Sequence, residues 1–182
     1  SGLLQATAGI GNCTLRAAIM EANVLAGPHQ ITLPAGTFTL SLDGDDDAAL
    51  LGDLDIVGRA MTISGAGAQS TVLDANGIDR YFDISASTVV LSDLSIRDGL
   101  APGDASDGGA ILMMSGLVDA NELTLRRVHL LDNQAKRGGA LRAANEVVVT
   151  LDESLLQGNS TIDAGPGNFI GPAIYCQGCA LN

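Results

Sequence analysis

Hydrophobic and polar positions alternate along this chain with two different periods. Between residues 12 and 26, Leu15, Ala18, Ile19 and Ala22 recur at the i, i+3, i+4, i+7 spacing of one helix face. This predicts a short amphipathic helix. Asn12 or Thr14 caps its start by accepting a bond from a free backbone N–H, and Gly27-Pro28 stops it. Beyond Pro28 the period falls to two, in very short segments separated by Gly, Asp and Asn. Strands are predicted at 31–33, 37–42, 54–56, 61–63, 71–73, 81–84, 89–91, 94–96, 110–112, 123–125, 128–130, 139–141, 147–151 and 154–156.

The second half repeats itself. Val89-Val-Leu-Ser-Asp-Leu-Ser-Ile-Arg-Asp-Gly99 is followed by Gly108-Gly-Ala-Ile-Leu, and Leu123-Thr-Leu-Arg-Arg-Val-His-Leu-Leu-Asp-Asn133 by Gly138-Gly-Ala-Leu. A third copy runs from Val149 to Asn159 and resumes at Gly171-Pro-Ala-Ile. Leu91, Leu125 and Leu151 correspond, as do Gly99, Asn133 and Asn159, at separations of 34 and 26 residues. A unit of three very short strands cannot bury its apolar face alone, so successive units must stack. With almost no helix, the stack is an all-β solenoid, a right-handed parallel β-helix in which equivalent strands pair and equivalent side chains pile up inside. Leu91, Leu125 and Leu151 are expected to form one internal ladder, and Ile96, Leu130 and Leu156 another. Asn133 and Asn159 are placed at a corner, where asparagine tolerates left-handed dihedrals and bonds to its copy in the next coil. Residues 1–28 form the N-terminal capping segment and residues 29–182 the coils. The irregular period means loops of unequal length, 101–107 and 160–169 among them, and binding normally resides on such loops.

Composition agrees with this architecture. Hydrophobic residues make up 46% of the 182, aromatic residues only 3%, and 23 are glycines, so the core is built of small stacked aliphatics and the chain is not a disordered one. A net charge of -12, with nine basic residues of which Lys136 is the one lysine, excludes the basic patch that nucleic acid requires. No stretch of apolar residues is long enough to span a membrane. Cysteines stand at 13, 176 and 179. Cys176-Gln-Gly-Cys179 reads as a local disulfide or two structural thiols, because zinc would need two more ligands and the histidines are only His29 and His129.

Four segments in order, Cys13-Thr-Leu-Arg-Ala-Ala-Ile-Met-Glu-Ala-Asn23, Ile31-Thr-Leu-Pro-Ala-Gly-Thr-Phe38, Gly52-Asp-Leu-Asp-Ile56 and Thr62-Ile-Ser-Gly-Ala-Gly67, resemble bacterial secreted proteins that carry a CSLREA-type motif ahead of right-handed parallel β-helix repeats. The resemblance spans nearly the whole chain. It implies a pectate-lyase-like fold, export to the bacterial surface or medium, and no established reaction. Family members often carry a cysteine shortly before the motif. Here Leu3-Leu-Gln-Ala-Thr-Ala-Gly9 has none, which leaves Cys13 without a partner.

Chemistry concentrates in a few places. Asp43, Asp45, Asp47, Asp53 and Asp55 form an oxygen-rich cluster of the kind that suits calcium, although Ala48 and Leu54 break the EF-hand pattern; the competing reading is a solvated acidic loop. Asp79-Arg80 is placed to anchor that loop through an ion pair. Asp98 and Asp132, beside Arg97, Arg126, Arg127 and His129, are the nearest approach to a catalytic set, and their positions before Gly99 and Asn133 favour turn roles, with His129 facing outward. Sugar-stacking aromatics are scarce. The expectation is a non-catalytic exported or cell-surface scaffold, adhesin-like, whose corner loops bind a surface polysaccharide or protein. The alternatives are a lyase or hydrolase of acidic polysaccharide, and copies of the chain stacking end to end into a fibre.

Overall fold

A computed structural model describes residues 5–7, 13–44, 48–101, 107–116, 121–162 and 171–182. Strand β1 (Gln5–Thr7) precedes helix α1 (Leu15–Val24). The chain then winds through β2 (Pro28–Thr32), β3 (Gly36–Thr39) and β4 (Leu54–Val57), and again through β5 (Ala60–Ser64), β6 (Thr71–Asp74) and β7 (Phe82–Ser85). The later coils are β8 (Thr88–Arg97) with β9 (Ile111–Met114), then β10 (Glu122–Leu131), β11 (Gln134–Ala135) and β12 (Leu141–Ala144). They are followed by β13 (Val148–Asp152), β14 (Leu155–Gln157), β15 (Ser160–Thr161), β16 (Ile174–Gln177) and β17 (Ala180–Leu181).

Every pairing is parallel, and each joins equivalent strands of successive coils. The fold is therefore the parallel β-helix expected from the repeats. Three faces result. One carries β1, β2, β5, the first half of β8, the first half of β10, β13 and β17. The second carries β3, β6, the second halves of β8 and β10, and β14. The third carries β4, β7, β9, β12 and β16.

The segments 89–91 and 94–96, expected as separate strands, are one bent strand, and so are 123–125 and 128–130. The bend is a single left-handed residue, Asp93 at φ 56° and Arg127 at φ 51°, with Glu153 at φ 50° in the same place between β13 and β14. One such residue turns the chain from the first face to the second without ending the ladder.

Side chains stack as the repeats require. Ile31, Ile63, Leu91, Leu125 and Leu151 share one inward register, and Phe38, Leu73, Ile96, Leu130 and Leu156 another. Leu73, Leu91, Leu125 and Leu130 are fully buried. At the corner, the left-handed residues are Asp98, Asp132 and Gly158 rather than Gly99, Asn133 and Asn159, which follow them. Freed from that duty, Asn133 turns inward and is completely buried. Its Oδ1 accepts from Gly99 N at 2.9 Å, and its Nδ2 donates to Ile96 O at 3.3 Å and to Asn159 Oδ1 at 2.9 Å. Replacing it with alanine strips buried partners in two neighbouring coils. Asn133→Ala is expected to cost about 2–3 kcal/mol in chemical denaturation, since each orphaned buried group carries its desolvation penalty. A loss within experimental error would show that the corner holds without its side-chain ladder.

The glycine pairs of the repeat also have one cause. Gly108, Gly138 and Gly171 are all left-handed, and a Cβ on Gly138 would lie 2.2 Å from Leu141 O. Only glycine enters β12 at that angle.

Helix α1 starts at Thr14, whose side chain accepts from Ala17 N, and buries Leu15, Ala18, Ile19 and Ala22. It lies over β4. Asn23 completes the cover, because its Nδ2 donates to Asp55 O at 2.7 Å and its Oδ1 accepts from Val57 N at 3.3 Å. A side-chain amide thus stands in for the peptide group of a neighbouring strand at an edge that would otherwise be unpaired. Arg59 holds the other end of the helix, donating from Nε to Ala22 O and from Nη2 to Asn23 O. Arg16 donates to Ala49 O, Leu51 O and Asp53 O through Nη1 and to Gly52 O through Nη2.

Candidate functional site

The outer side of the third face carries an unusual row. Asp55, Asp83, Leu112, Arg142 and Tyr175 stand at one register on β4, β7, β9, β12 and β16. Outward positions of a solenoid normally meet water, yet Asp55 and Arg142 are each 5% exposed. Around them gather Asp53, Asp79, Arg80, Asp107 and Arg137.

At the acidic end, Arg80 Nη1 lies 3.2 Å from Asp53 Oδ2 and 3.3 Å from Asp83 Oδ2. The anchoring of the 43–55 loop by Arg80 is thus a direct ion pair. Asp55 Oδ2 accepts from Ala49 N at 2.7 Å, and Asp79 Oδ1 accepts from Arg80 N at 2.7 Å. Asp53 is 3% exposed. Burial, reinforced by the charge of Asp79 and then of Asp55 and Asp83, pushes its carboxyl up to about 8 against the pull of Arg80.

At the other end, Asp107 accepts from Arg137 Nε at 2.5 Å and Nη2 at 2.8 Å, a forked pair. Arg142 Nε sits 2.8 Å from Asp107 Oδ2 but off the line of a hydrogen bond, so charge rather than alignment holds that contact. Arg142 Nη2 donates to Gln177 Oε1 at 2.9 Å, and its guanidinium carbon lies 4.7 Å from the centre of the Tyr175 ring. The ring compensates part of the desolvation of a buried cation. Arg80 Nε reaches Asp107 O at 3.3 Å and ties the two ends together.

The chain leaves for residues 102–106 and for residues 163–170 from one line of the solenoid. Leu100 bridges to Gln134, and Gln134 and Ala135 pair with Ser160 and Thr161. Ala101 N donates to Gln134 O at 3.1 Å, and Ile162 N to Ala135 O at 2.9 Å. The stems of the 102–106 and 163–170 loops are therefore stacked in register.

The proposed calcium ligands are divided. Asp43 is exposed, Asp53 and Asp55 are turned into the buried row, and Asp45 and Asp47 lie outside the described residues. Among the described residues no three His, Cys, Asp or Glu side chains converge as a metal cage. Asp98 and Asp132 occupy left-handed corner positions, as turn roles require. His129 faces outward between buried Val128 and Leu130, in a shallow groove of about 380 Å³ that Ser95, Arg97 and Leu155 also line. Arg97 is spoken for by Asp74 at 2.6 Å. Arg127 holds the Asp93 carboxyl below its ordinary range through a forked bond at 2.7 and 2.9 Å. Asn12-Cys-Thr14 and Asn159-Ser-Thr161 have the pattern of glycosylation sequons; Asn159 spends both side-chain groups on Leu130 O and Asn133. Asn12 of the other lies outside the described residues.

Cys176 and Cys179 form a disulfide, and Cys13 is a half-buried free thiol. Cys176 falls in the inward register of Ile56, Ile84, Met113 and Ala143, so the bridge closes a corner of the last coil from inside. Closing so short a loop restricts the unfolded chain modestly. Reduction is expected to weaken this coil by about 2 kcal/mol. Faster hydrogen exchange confined to residues 171–182 under dithiothreitol checks this, and unchanged exchange there refutes it.

The sequence gives no direct warning of Arg16, Asn23, Asp107, Arg137 or Arg142. A charge at an outward strand position in register with Asp55 and Asp83 was the one available signal for Arg142. No protein-family model, curated protein or solved structure matches the chain. No helix among the described residues is long and apolar enough to cross a membrane.

Proposed function

We propose that this protein is an exported or cell-surface scaffold, without catalysis of its own, that binds a surface polysaccharide or protein through its corner loops. One observation carries the reading: the stems of the 102–106 and 163–170 loops stack in register beside a buried, ion-paired face. Residues 100–101, 134–135 and 160–161 of three successive coils stack on one line of the ladder, and insertions that leave a repeat scaffold along one line are its usual place of recognition. Engagement of Asp93 with Arg127, Asp74 with Arg97 and Asp107 with Arg137 in links between coils supports a scaffold role for residues that also suit an enzyme. The Cys176–Cys179 bridge suits an oxidising compartment.

The test is adhesion of beads coated with the full chain to bacterial cells and to purified cell-surface polysaccharide. Shortening both loops to glycine-serine links should abolish adhesion while leaving the melting temperature unchanged. Undiminished adhesion would overturn the reading, and release of new sugar ends from acidic polysaccharide would replace it with the enzyme. Calcium at the 43–55 loop belongs to the same proposal. Saturating calcium should then raise the melting temperature and chelation reverse it; identical melting in both removes the ion.

A further inference from the structure

We infer that the groove on the outer side of the second face binds an uncharged glycan chain laid along the solenoid axis, about one sugar unit to each coil. Val72, Ser95, His129 and Leu155 stand at one register on β6, β8, β10 and β14, and Arg97, Leu131 and Gln157 follow two positions on. Coils repeat at about 4.8 Å, so the four positions span about 14 Å. One wall is the connection of residues 65–70, which takes the place of the single-residue bends at Asp93, Arg127 and Glu153 in the later coils. Gly65 N donates to Ser92 O and Gly67 N to Asp93 O, each at 2.9 Å, and Ala66 N donates to Thr71 Oγ1 at 2.9 Å, so the wall is fixed to the coil beside it. Ala68 and Gln69 of this connection line the groove. Floor and wall lie wholly within the described residues, and Leu155, 41% exposed, shows that the groove is open.

Ser95 distinguishes this floor from an ordinary outer face. It is 2% exposed, yet among the described residues its hydroxyl has no hydrogen-bond partner. An unpaired buried hydroxyl costs stability, and one that faces a groove is completed from outside the chain. Around it the side chains of Gln69, His129 and Gln157 also lack a hydrogen-bond partner among the described residues.

The chemistry of these groups selects the occupant. A hydroxyl, two amides and an imidazole both donate and accept, which is what a ligand covered in hydroxyls requires. The groove does not select charge: among the described residues no carboxylate lines it, and Arg97 is neutralised by Asp74 at 2.6 Å and Asp98 at 3.4 Å. A peptide cannot add here as a strand, because β6 and the second halves of β8 and β10 have a paired neighbour on both sides. Val72, Leu131 and Leu155 offer apolar surface to the C–H faces of sugar rings. The coil spacing is close to the advance of one pyranose unit, so equivalent positions of successive coils meet successive sugars. A groove without an aromatic platform holds each sugar weakly and gains affinity from the length of the chain. This site is separate from the corner loops, and the inference does not rest on their partner.

Titration of the full chain with neutral glucan, mannan, galactan and xylan oligosaccharides, from disaccharides to octasaccharides, tests the inference by two-dimensional NMR. Affinity for the preferred series should rise up to about four units and then level, since the groove crosses about that many coil spacings. Amide shifts should gather in residues 68–72, 95–97, 129–131 and 155–157. Ser95→Ala and His129→Ala should each weaken binding about 10-fold, the worth of one hydrogen bond. Because the Ser95 hydroxyl has no partner in the chain, Ser95→Ala should keep the parent melting temperature. Thr124→Ala, at an outward position of the first face, should change nothing. Absence of binding throughout the neutral series, or tighter binding of a galacturonan of equal length, overturns the inference. So does binding that survives both Ser95→Ala and His129→Ala; if the same binding is lost when the 102–106 and 163–170 loops are shortened, the glycan sits on the corner loops and only that reading stands.

Discussion

Arg16→Ala is expected to lower the free energy of unfolding by about 3–5 kcal/mol, the cost of removing a partly buried charge whose partners stay behind. The guanidinium serves four carbonyls, from Ala49, Leu51, Gly52 and Asp53, at 2.5 to 3.3 Å. These lie on the connection that brings the chain into β4, and that connection has little freedom to find other partners. Gly52 sits at φ 55°, with Gly44 O only 2.3 Å from where a Cβ would stand. Without Arg16 the carbonyls of Ala49, Gly52 and Asp53 lose this donor beside the first turn of α1, so helix and connection loosen together. Arg16→Lys keeps the charge but lacks the planar fork that reaches several acceptors at once, and it should recover less than half of the loss. Urea denaturation gives the magnitude, and hydrogen exchange in residues 15–24 gives the location. A loss well under 1 kcal/mol, or exchange that rises evenly over all coils, would mean that the helix is held by its apolar face alone.

The same residue marks the boundary of what could be read without coordinates. Arg16 follows Leu15 on a helix whose apolar face is plain from spacing, and a lone arginine on the polar side of a helix looks like any solvated charge. Its importance depends on backbone carbonyls 33 to 37 residues away, which leave no trace in side-chain chemistry. The core was legible for the opposite reason. Leu91, Leu125 and Leu151 must repeat because equivalent positions touch, and contact between like positions writes itself into the sequence as self-similarity. Short strands without alternation, such as β11 and β15, had no such signature. The ion pair of Arg80 with Asp53 was anticipated because a dense acidic segment demands a counter-charge. The partnership of Asp107 with Arg137 and Arg142 was not, because it joins unlike residues of different coils, brought together by register across a repeat of irregular length. The corner asparagines lie between these cases. Stacking of Asn133 on Asn159 followed from the repeat, but the left-handed residue proved to be the one before, since a buried amide contributes more as a bridge between coils than as a turn former.

Stability should fall as pH rises from about 4 to about 8, with Asp53 as the main cause. A carboxyl raised from 3.8 to about 8 binds its proton more tightly folded than unfolded. The folded state is thus favoured wherever both forms are protonated, and the advantage disappears as the solution passes up through the folded value. The limiting size is on the order of 5 kcal/mol, with a slope near 1.4 kcal/mol per pH unit while only the unfolded chain has ionised. Asp93 works in the other direction. Its carboxyl is lowered by Arg127, so its contribution is present above the ordinary carboxylate range and is lost only as pH falls further. The two together place the stability maximum in mildly acidic solution, on the acid side of neutrality. Asp53→Asn separates them. The amide keeps an oxygen for Arg80 Nη1 but cannot ionise, so the variant should match the parent near pH 4.5 and exceed it by several kcal/mol at pH 9. Urea midpoints at pH 4.5, 7 and 9 are sufficient to decide. If parent and variant lose stability in parallel over that range, the proton does not reside on Asp53.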